Sequence, residues 1–343
     1  MSERVSRMLA DVAIFSKHGS GKQPPNQWIK ISLAERDSSG NMKFNVISTF
    51  IFSGLLLLAT ACARQKPDLT YDVSVSKPFF QKVQPVLLYD DGHRNSHRSN
   101  GTYAPFAKLM ENDGCKVVSG KNKINELVLS HADVLVIVNA KGEEQKYYPA
   151  FDAEECGAIE KWVAGGGALL LVADHYPFGA AVERLSQKFG VHMFNGEVKD
   201  SLFFHGNAQF RDELVFSREN RLLLEHPITQ GINTVYTFRG QSLSAPESAN
   251  ILLQLSEQAM HTLPDSIWHK GGKTYTRFAD PVSASGYCQG LALFHGKGRV
   301  VILGEAAMLT AQVFEGEKFG MNTPGNDNRQ FVLNVVHWLV GWI

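Results

Sequence analysis

The sequence LLLVADHYPFG, residues 169–179, decides the fold class of this chain. Its unbroken apolar run, residues 169–173, predicts a buried strand, and Asp174 and His175 follow that strand directly. Residues 180–190 then repeat apolar side chains at helical spacing. A strand, a turn and a helix in this order form the repeating unit of doubly wound α/β proteins. Ligands bind such sheets outside the carboxyl ends of the strands, so Asp174 and His175 stand where a site is expected.

The composition is that of an ordinary globular protein. The chain has 343 residues, of which 44% are hydrophobic and 20% charged, enough for one large domain or two small ones. Lys plus Arg and Asp plus Glu each number 34, so the net charge is near zero. No long basic run is present, and we therefore expect no nucleic acid partner.

Strands and helices alternate through the first half of the domain. Residues 85–89, 115–118 and 134–138 read as short buried strands, with helical spacing between them. A further helix begins at Asp152, whose spacing to Glu155 matches a capping box. This alternation predicts an α/β fold with a doubly wound, mostly parallel sheet flanked by helices, as in flavodoxin-like proteins.

The second half of the chain is less regular. Residues 191–290 predict several short strands separated by long loops. Two strand-like runs, residues 291–294 and 299–303, surround the sequence HGKG and predict a hairpin. The last helix, from about residue 328 to residue 342, is apolar almost all round, so we expect it to pack deeply against the sheet.

A polar loop follows the first predicted strand. The sequence DDGHRNSH places Asp90, His93, Asn95 and His97 close together. Two histidines four residues apart can ligate a metal on a helix, but the Gly, Asn and Ser around them favour a loop. Three interpretations of the loop stay open: a metal site with Asp90 as a third ligand, a pocket for a polar ligand or for catalysis, and a turn whose side chains satisfy their own backbone.

Further polar side chains end other predicted strands. Asp174 and His175 can supply a general base and a carboxylate, although adjacent residues point to opposite sides and are not expected to pair with each other. Glu305 reaches the same edge if its strand joins the sheet in parallel, and capping of the following helices is the structural alternative. The predicted catalytic set is Asp90, His93, Asp174, His175 and Glu305, and the predicted ligand-binding set is Asn95, His97 and Asn139; no metal site and no cofactor are predicted.

The first 84 residues are unlike the rest. Residues 1–41 are polar and broken by Gly, Pro and Ser, and we read them as disordered or as an upstream extension from a misplaced start codon. Residues 42–61 have a short basic start and an apolar run, which is typical of a signal peptide. Residues 62–84 read as a tether, and residues 85–343 as the α/β domain.

The signal-like segment ends in LATAC, with Ala59 and Ala61 before Cys62. This pattern resembles a bacterial lipoprotein lipobox, which implies cleavage before Cys62 and lipidation of its thiol. The alternative is a membrane span or a buried helix, but the run is shorter than the roughly 20 residues that a span requires. Ala63 resembles the sorting pattern of outer-membrane lipoproteins. The expected partner is therefore the membrane, with the domain facing the periplasm.

The remaining cysteines are Cys115, Cys156 and Cys288, and their spacing indicates isolated buried thiols. The sequence GYCQG around Cys288 has the lettering of a nucleophile elbow. An elbow needs a strand before it and a helix after it, whereas a strand-like run follows here.

From about Val83 to Ile343 the chain resembles an uncharacterised bacterial lipoprotein family with a class I glutamine amidotransferase-like fold. The stretches that carry the resemblance are DDGHRNSH, YAPFAKLMENDG, DVLVIVNA, WVAGGGALLLVADHYPF, FGV, EHPITQG, GKGRVVILGEAAMLTAQ, GMNTP and NRQFVLNVVHWL. In amidotransferases the elbow after the central strand carries a Cys, completed by a His and a Glu. Here Asp174-His175-Tyr176 occupies that position, and no His-Pro precedes Glu305. The resemblance thus implies the fold and argues against glutaminase activity.

Three functional hypotheses follow. One of them, an amidotransferase domain that uses Cys288, requires that residue at a strand-to-helix turn. The favoured one is a membrane-anchored lipoprotein whose degenerate amidotransferase-like domain binds a small molecule or a protein partner without catalysis. The alternative is a hydrolase-like enzyme, with or without a metal, that uses the predicted catalytic set at the sheet edge. Convergence of those side chains in one pocket favours the enzyme.

Overall fold

The structure is a computed structural model that describes residues 34–36, 42–44, 65–142, 149–205 and 213–343. The chain divides into two compact units, residues 1–62 and residues 63–343. In the first unit, the strands β1 (Ala34–Arg36) and β2 (Met42–Phe44) pair antiparallel. The predicted lipidation site Cys62, and most of the predicted signal peptide, lie outside the described residues.

The second unit contains the secondary structure that positions the site. Its helices are α1 (Ala104–Asn112), α2 (Glu126–Leu129), α3 (Ala153–Ala164), α4 (Phe178–Ser186) and α5 (Asn328–Val340). Its strands are β3 (Lys66–Pro67), β4 (Val86–Asp90), β5 (Lys116–Gly120), β6 (Val134–Val138), β7 (Ala168–Val172), β8 (His192–Met193), β9 (Glu197–Asp200), β10 (Val215–Ser217), β11 (Thr234–Tyr236), β12 (Leu243–Ser244), β13 (Asn250–Gln254), β14 (Ala259–Thr262), β15 (Pro264–Lys270), β16 (Lys273–Phe278), β17 (Val282–Ser283), β18 (Cys288–His295), β19 (Gly298–Leu303), β20 (Ala311–Phe314) and β21 (Glu317–Gly320).

A large mixed sheet forms the centre of the domain. Its strands lie in the order β5-β4-β6-β7-β19-β18-β12-β8, and β13 also pairs with β18. The first five strands are parallel to one another. Numbered along the chain, these five have the order 2-1-3-4-5, which is the flavodoxin-like arrangement. From β18 onward the pairing is antiparallel, beginning with the predicted hairpin between β18 and β19.

Helices cover both faces of the parallel half. Alternate strand residues belong to two separate cores: Leu87 and Tyr89 of β4 enter one, and Leu88 enters the other. The helices α1 and α5 pack on the first core, and α3 and α4 on the second. Strands buried on both faces must be apolar at every position, which explains the unbroken runs in the sequence. The prediction of an α/β fold is confirmed for this half.

The prediction of a helix-flanked, mostly parallel sheet is only partly correct. Residues 191–290 form small antiparallel sheets instead, such as β17-β14-β9 and the hairpin β15-β16, and β21-β20-β3 forms another. The strands β14 and β15 alternate more and less exposed side chains. Such alternation is typical of antiparallel strands with one face toward solvent, and it leaves no apolar stripe for a covering helix.

The segment predicted as a tether packs against the domain along its described part. Strand β3 pairs with β20, and Phe80 is buried in the first core. The backbone N–H of Phe79 donates to Asp113 Oδ1 at 2.8 Å. The α/β domain therefore extends to residue 65 rather than beginning at residue 85.

The helix ends follow the sequence signals. Asp152 Oδ1 accepts the backbone N–H of Glu155 at 2.9 Å, and Glu155 Oε2 accepts that of Asp152 at 3.2 Å, which confirms the predicted capping box. In the last helix Trp338 is buried in the first core, as predicted. Within the described ranges, no helix is long and apolar enough to cross a membrane.

Candidate functional site

The candidate site lies where the order of the parallel strands reverses. The chain leaves β4 and β6, which are neighbours in the sheet, toward opposite faces, so their carboxyl ends border a crevice. The predicted polar loop fills this crevice. Asn95 Nδ2 donates to Val138 O at 3.0 Å, and the backbone N–H of Ser96 donates to Asn139 O at 3.0 Å. These bonds fix the loop across the ends of both strands.

His93 is held between two buried carboxylates. Its Nδ1 lies 2.8 Å from Asp90 Oδ1, and its Nε2 lies 3.0 Å from Glu155 Oε1. Burial lowers the pKa of His93, but the hydrogen bonds and charges of Asp90 and Glu155 outweigh it, and the pKa is raised. The Phe151 ring packs on the imidazole at a centroid distance of 4.2 Å.

His93 is therefore placed as a link between the polar loop and the start of α3. Both ring nitrogens are occupied, so neither is available to a substrate in this arrangement. Asp90 is likewise engaged, because its carboxylate also accepts from Asn95 Nδ2 at 3.1 Å and from the backbone N–H of Gly92 at 3.1 Å. Glu155, which the sequence marked as a helix cap, completes this network.

A cavity of about 770 Å³ opens at the same sheet edge. Its polar lining includes all three predicted ligand-binding residues and two of the predicted catalytic residues: Asn95, His97, Asn139, Asp174 and His175. Asp90, His93 and Glu305 do not line it. The predicted catalytic set is thus divided, and the loop histidine that faces the cavity is His97 rather than His93.

His97 presents a neutral imidazole to this cavity. Its Nδ1 lies 2.6 Å from Thr102 Oγ1, and burial lowers the pKa of His97 to about 4. Across the described part of the chain, Nε2 of His97 has no hydrogen-bond partner. This nitrogen is therefore free to exchange a hydrogen bond with a bound molecule near neutral pH.

Asn139 joins the ends of β6 and β7. It adopts a left-handed backbone conformation with φ 46°, which Asn tolerates better than most residues. Its Oδ1 accepts the backbone N–H of Asp174 at 2.9 Å. Gln241, which was not among the predicted site residues, also contacts the backbone at the end of β7. Its Nε2 donates to the carbonyl oxygens of Ala173 and Asp174, each at 2.9 Å.

Asp174 and Glu305 form a buried acidic pair. Burial raises the pKa of Asp174, and burial together with the charge of Asp174 raises the pKa of Glu305 well above its usual value. Glu305 accepts the backbone N–H groups of Ala307 at 2.6 Å and Met308 at 2.8 Å. Glu305 thus caps the turn after β19, whereas Asp174 reaches the cavity.

His175 stands beside Asp174 at the cavity wall. Its Nδ1 lies 2.9 Å from Tyr176 O and 3.9 Å from Glu197 Oε1. The carbonyl can only accept, so Nδ1 carries the proton and Nε2 is the acceptor in the neutral ring. As predicted from their adjacency, the His175 ring makes no hydrogen bond with the Asp174 side chain; the link between them runs from the His175 backbone N–H to Asp174 Oδ1, at 2.7 Å.

No family model and no curated protein matches this chain. Among solved structures it is similar to the mmIFT52 N-terminal domain, with 15% identity and a TM-score of 0.52 over 75% of this chain and 97% of that one. It is also similar to a ThuA-like protein from Bacteroides uniformis, with 12% identity and a TM-score of 0.39 over 77% of this chain and 93% of that one. A structure described as a GMP synthase subunit from Thermoplasma acidophilum matches at 12% identity and a TM-score of 0.37, over 74% of this chain and 94% of that one.

These likenesses concern the fold alone. The first supports an α/β domain of shared architecture, and the TM-scores of the other two are too low to carry an argument.

Cys288 is not placed as a nucleophile. It begins β18, so no strand-to-helix turn presents it, and its Sγ lies 3.6 Å from Leu243 O. Burial raises the pKa of its thiol to about 12, which keeps it protonated. Cys115 and Cys156 are also buried free thiols.

Three cationic side chains also line the cavity, a feature that the sequence did not bring to notice. Arg94, Arg98 and Lys141 belong to its lining. Arg94 lies between His93 and Asn95 in the sequence, and Arg98 follows His97. Their positions within the polar loop were the sequence signal for a positively charged lining. Within the residues that the structure describes, no group of three or more His, Cys, Asp or Glu side chains is arranged to hold a metal ion.

Proposed function

We propose that this chain is a lipid-anchored binding protein whose α/β domain holds a small polar, anionic ligand at the switch point of its sheet. The observation that carries the proposal is the cavity at the carboxyl ends of β4, β6 and β7. In doubly wound folds, ligands bind at this location.

The cavity offers hydrogen-bonding groups of both kinds. His97 and His175 each have an Nε2 without a protein partner among the described residues, and the side-chain amide of Asn139 lies beside them. Burial raises the pKa of Asp174, which shifts its carboxyl group toward the neutral form and so weakens its repulsion of an anion. Three cationic side chains in the lining, Arg94, Arg98 and Lys141, favour a ligand of negative charge.

Binding rather than turnover is favoured because, among the described residues, none that lines the cavity is an activated nucleophile. Cys288 is buried in β18, and His93 is occupied by Asp90 and Glu155. The anchor rests on the lipobox-like sequence before Cys62. Together these features favour a lipoprotein that is anchored in the outer membrane and faces the periplasm.

A thermal-shift screen of sugar phosphates, nucleotides and small carboxylates tests the binding proposal. A ligand at about a hundred times its Kd stabilises the folded state by about 2.7 kcal/mol. We expect a hit whose shift is lost in His97→Asn and Asp174→Asn and kept in His192→Gln, which changes an exposed histidine outside the cavity. A hit that all three variants retain would place the ligand elsewhere, and a screen without a hit counts against the proposal.

A hydrolase is the second candidate, and the raised pKa of Asp174 supports it. A carboxyl group at the wall of a cavity, with a pKa that burial raises, can act as a general acid. His175 Nε2 would then serve as the base for a water molecule. Turnover of a bound ligand, abolished in Asp174→Asn while binding persists, would favour the enzyme over the binding protein.

A further inference from the structure

The hairpin formed by β15 and β16 carries a stacked pair of exposed aromatic rings. Trp268 and Tyr275 are directly opposite each other in the register, with ring centroids 5.7 Å apart and planes within 14°. Trp268 is 46% exposed and Tyr275 is 42% exposed. Within the described residues, the two strands pair with no third strand. The hairpin therefore presents a flat aromatic surface that the domain itself does not cover.

Cationic side chains share the face of this pair. Side chains two residues apart in a strand point to the same side, so Lys270 lies on the face of Trp268, and Lys273 and Arg277 lie on that of Tyr275. Arg277 is paired, with its Nε 2.6 Å from Asp265 Oδ2. In the described chain neither lysine forms an ion pair, which leaves the tip of the hairpin positively charged.

The opposite face attaches the hairpin to the domain. Thr276 Oγ1 lies 2.5 Å from Tyr176 Oη, and the rings of Phe278 and Tyr176 meet edge to face with centroids 5.3 Å apart. Because Thr276 and Tyr275 are neighbours in one strand, their side chains point to opposite sides. The contact with Tyr176 thus holds the hairpin beside the candidate site while the aromatic and cationic face remains exposed.

We propose that this face, made of Trp268, Tyr275, Lys270 and Lys273, docks on a bilayer that contains anionic lipids. Trp and Tyr rings favour the level of the lipid headgroups, and lysines are attracted to anionic headgroups. A neutral glycan would use the rings and leave the two lysine charges without a partner, whereas an anionic bilayer engages both. A lipid anchor at Cys62, which belongs to the proposed function, would be strengthened by such a second contact.

Vesicle binding of the full chain tests the docking surface independently of the anchor. The chain carries Cys62→Ser and is mixed with phosphatidylcholine vesicles, with or without about one third phosphatidylglycerol. We expect co-sedimentation with the anionic vesicles, a blue shift of tryptophan emission, and loss of both at high salt. Lys270→Gln combined with Lys273→Gln should weaken binding about thirty-fold, and Trp268→Phe should remove the blue shift.

A charge-matched control separates docking from nonspecific attraction. Lys108→Gln with Lys116→Gln removes the same charge from exposed positions on α1 and β5, and it should leave vesicle binding unchanged. Equal binding to neutral and anionic vesicles, or equal weakening by both pairs of substitutions, would overturn the proposal. So would binding to neutral oligosaccharides, but not to vesicles, that is lost in Trp268→Ala. None of the substituted residues lines the cavity, so ligand binding in the cavity can be tested separately from vesicle binding.

Discussion

Asn139 Oδ1 accepts the backbone N–H of Asp174 at 2.9 Å and thereby joins the ends of two neighbouring parallel strands. Both residues line the cavity, so this bond sets the wall on which a ligand would rest. Asn suits this position for two reasons: its side chain supplies the hydrogen-bond acceptor, and its backbone tolerates the left-handed φ of 46°.

Asn139→Ala should destabilise the domain more than Asn139→Gly. Both variants leave the buried N–H of Asp174 without its acceptor, which costs about 1–3 kcal/mol. Ala also adds about 1–2 kcal/mol of left-handed strain that Gly avoids. Urea unfolding of the three proteins measures the difference. Equal costs for Ala and Gly would mean that the backbone conformation contributes nothing.

Asp174→Asn should change how stability depends on pH. The folded-state pKa values of Asp174 and Glu305 are raised, so their stabilisation is present below about pH 4 and is lost as the pH rises through those values. The substitution removes one charge and its repulsion of Glu305. We expect the variant to gain stability relative to the wild type as the pH rises above about 4. Parallel unfolding curves at every pH would contradict this.

His97→Asn should reduce acid sensitivity. The pKa of His97 falls from 6.5 to about 4 on folding, so the unfolded chain binds the proton first, and stability is lost as the pH drops from 6.5 toward 4. A pKa lowering of this size corresponds to a loss of about 3 kcal/mol in the free energy of unfolding at acidic pH. The Asn side chain can keep the bond to Thr102. His205, whose pKa burial also lowers to about 4, should preserve part of the acid sensitivity in the variant.

Trp338→Ala should cost about 3–5 kcal/mol, the range for a buried aromatic side chain. The ring is buried, with the Arg299 guanidinium 5.1 Å and the Phe294 ring 5.4 Å from its centroid. Trp268→Ala is the comparison variant, and we expect a cost of only about 1 kcal/mol because this ring is half exposed and loses mainly its stack on Tyr275. If the thermal midpoint of Trp338→Ala equals that of the wild type, α5 does not close the core.

The mature protein should begin at a lipidated Cys62. The LATAC sequence motivates this expectation, since small residues before a cysteine follow an apolar run. Intact-mass analysis and palmitate labelling in a bacterial host measure it, with Cys62→Ser as the unlabelled control. A wild-type chain that retains residues before Cys62 would show that the segment is not processed.

The sequence was sufficient for the local elements of the first half. The apolar run of residues 134–138 and that of residues 169–173 predicted buried strands, and the spacing of Asp152 and Glu155 predicted a capped helix. These signals lie within a few residues of one another, and the physical causes, burial on two faces and capping of free N–H groups, are equally local.

The tertiary structure alone decided which polar residues meet. The parallel pairing of β19 with β7 brings Glu305 close enough for the charge of Asp174 to raise its pKa. The packing of α3 against the polar loop brings Glu155 to His93 and takes that histidine out of the cavity. Strand order and helix packing depend on contacts between distant segments, and no short-range periodicity encodes them. The sequence therefore determined the edge of the sheet at which the candidate site lies, and the packing of the sheet and helices determined which side chains line its cavity.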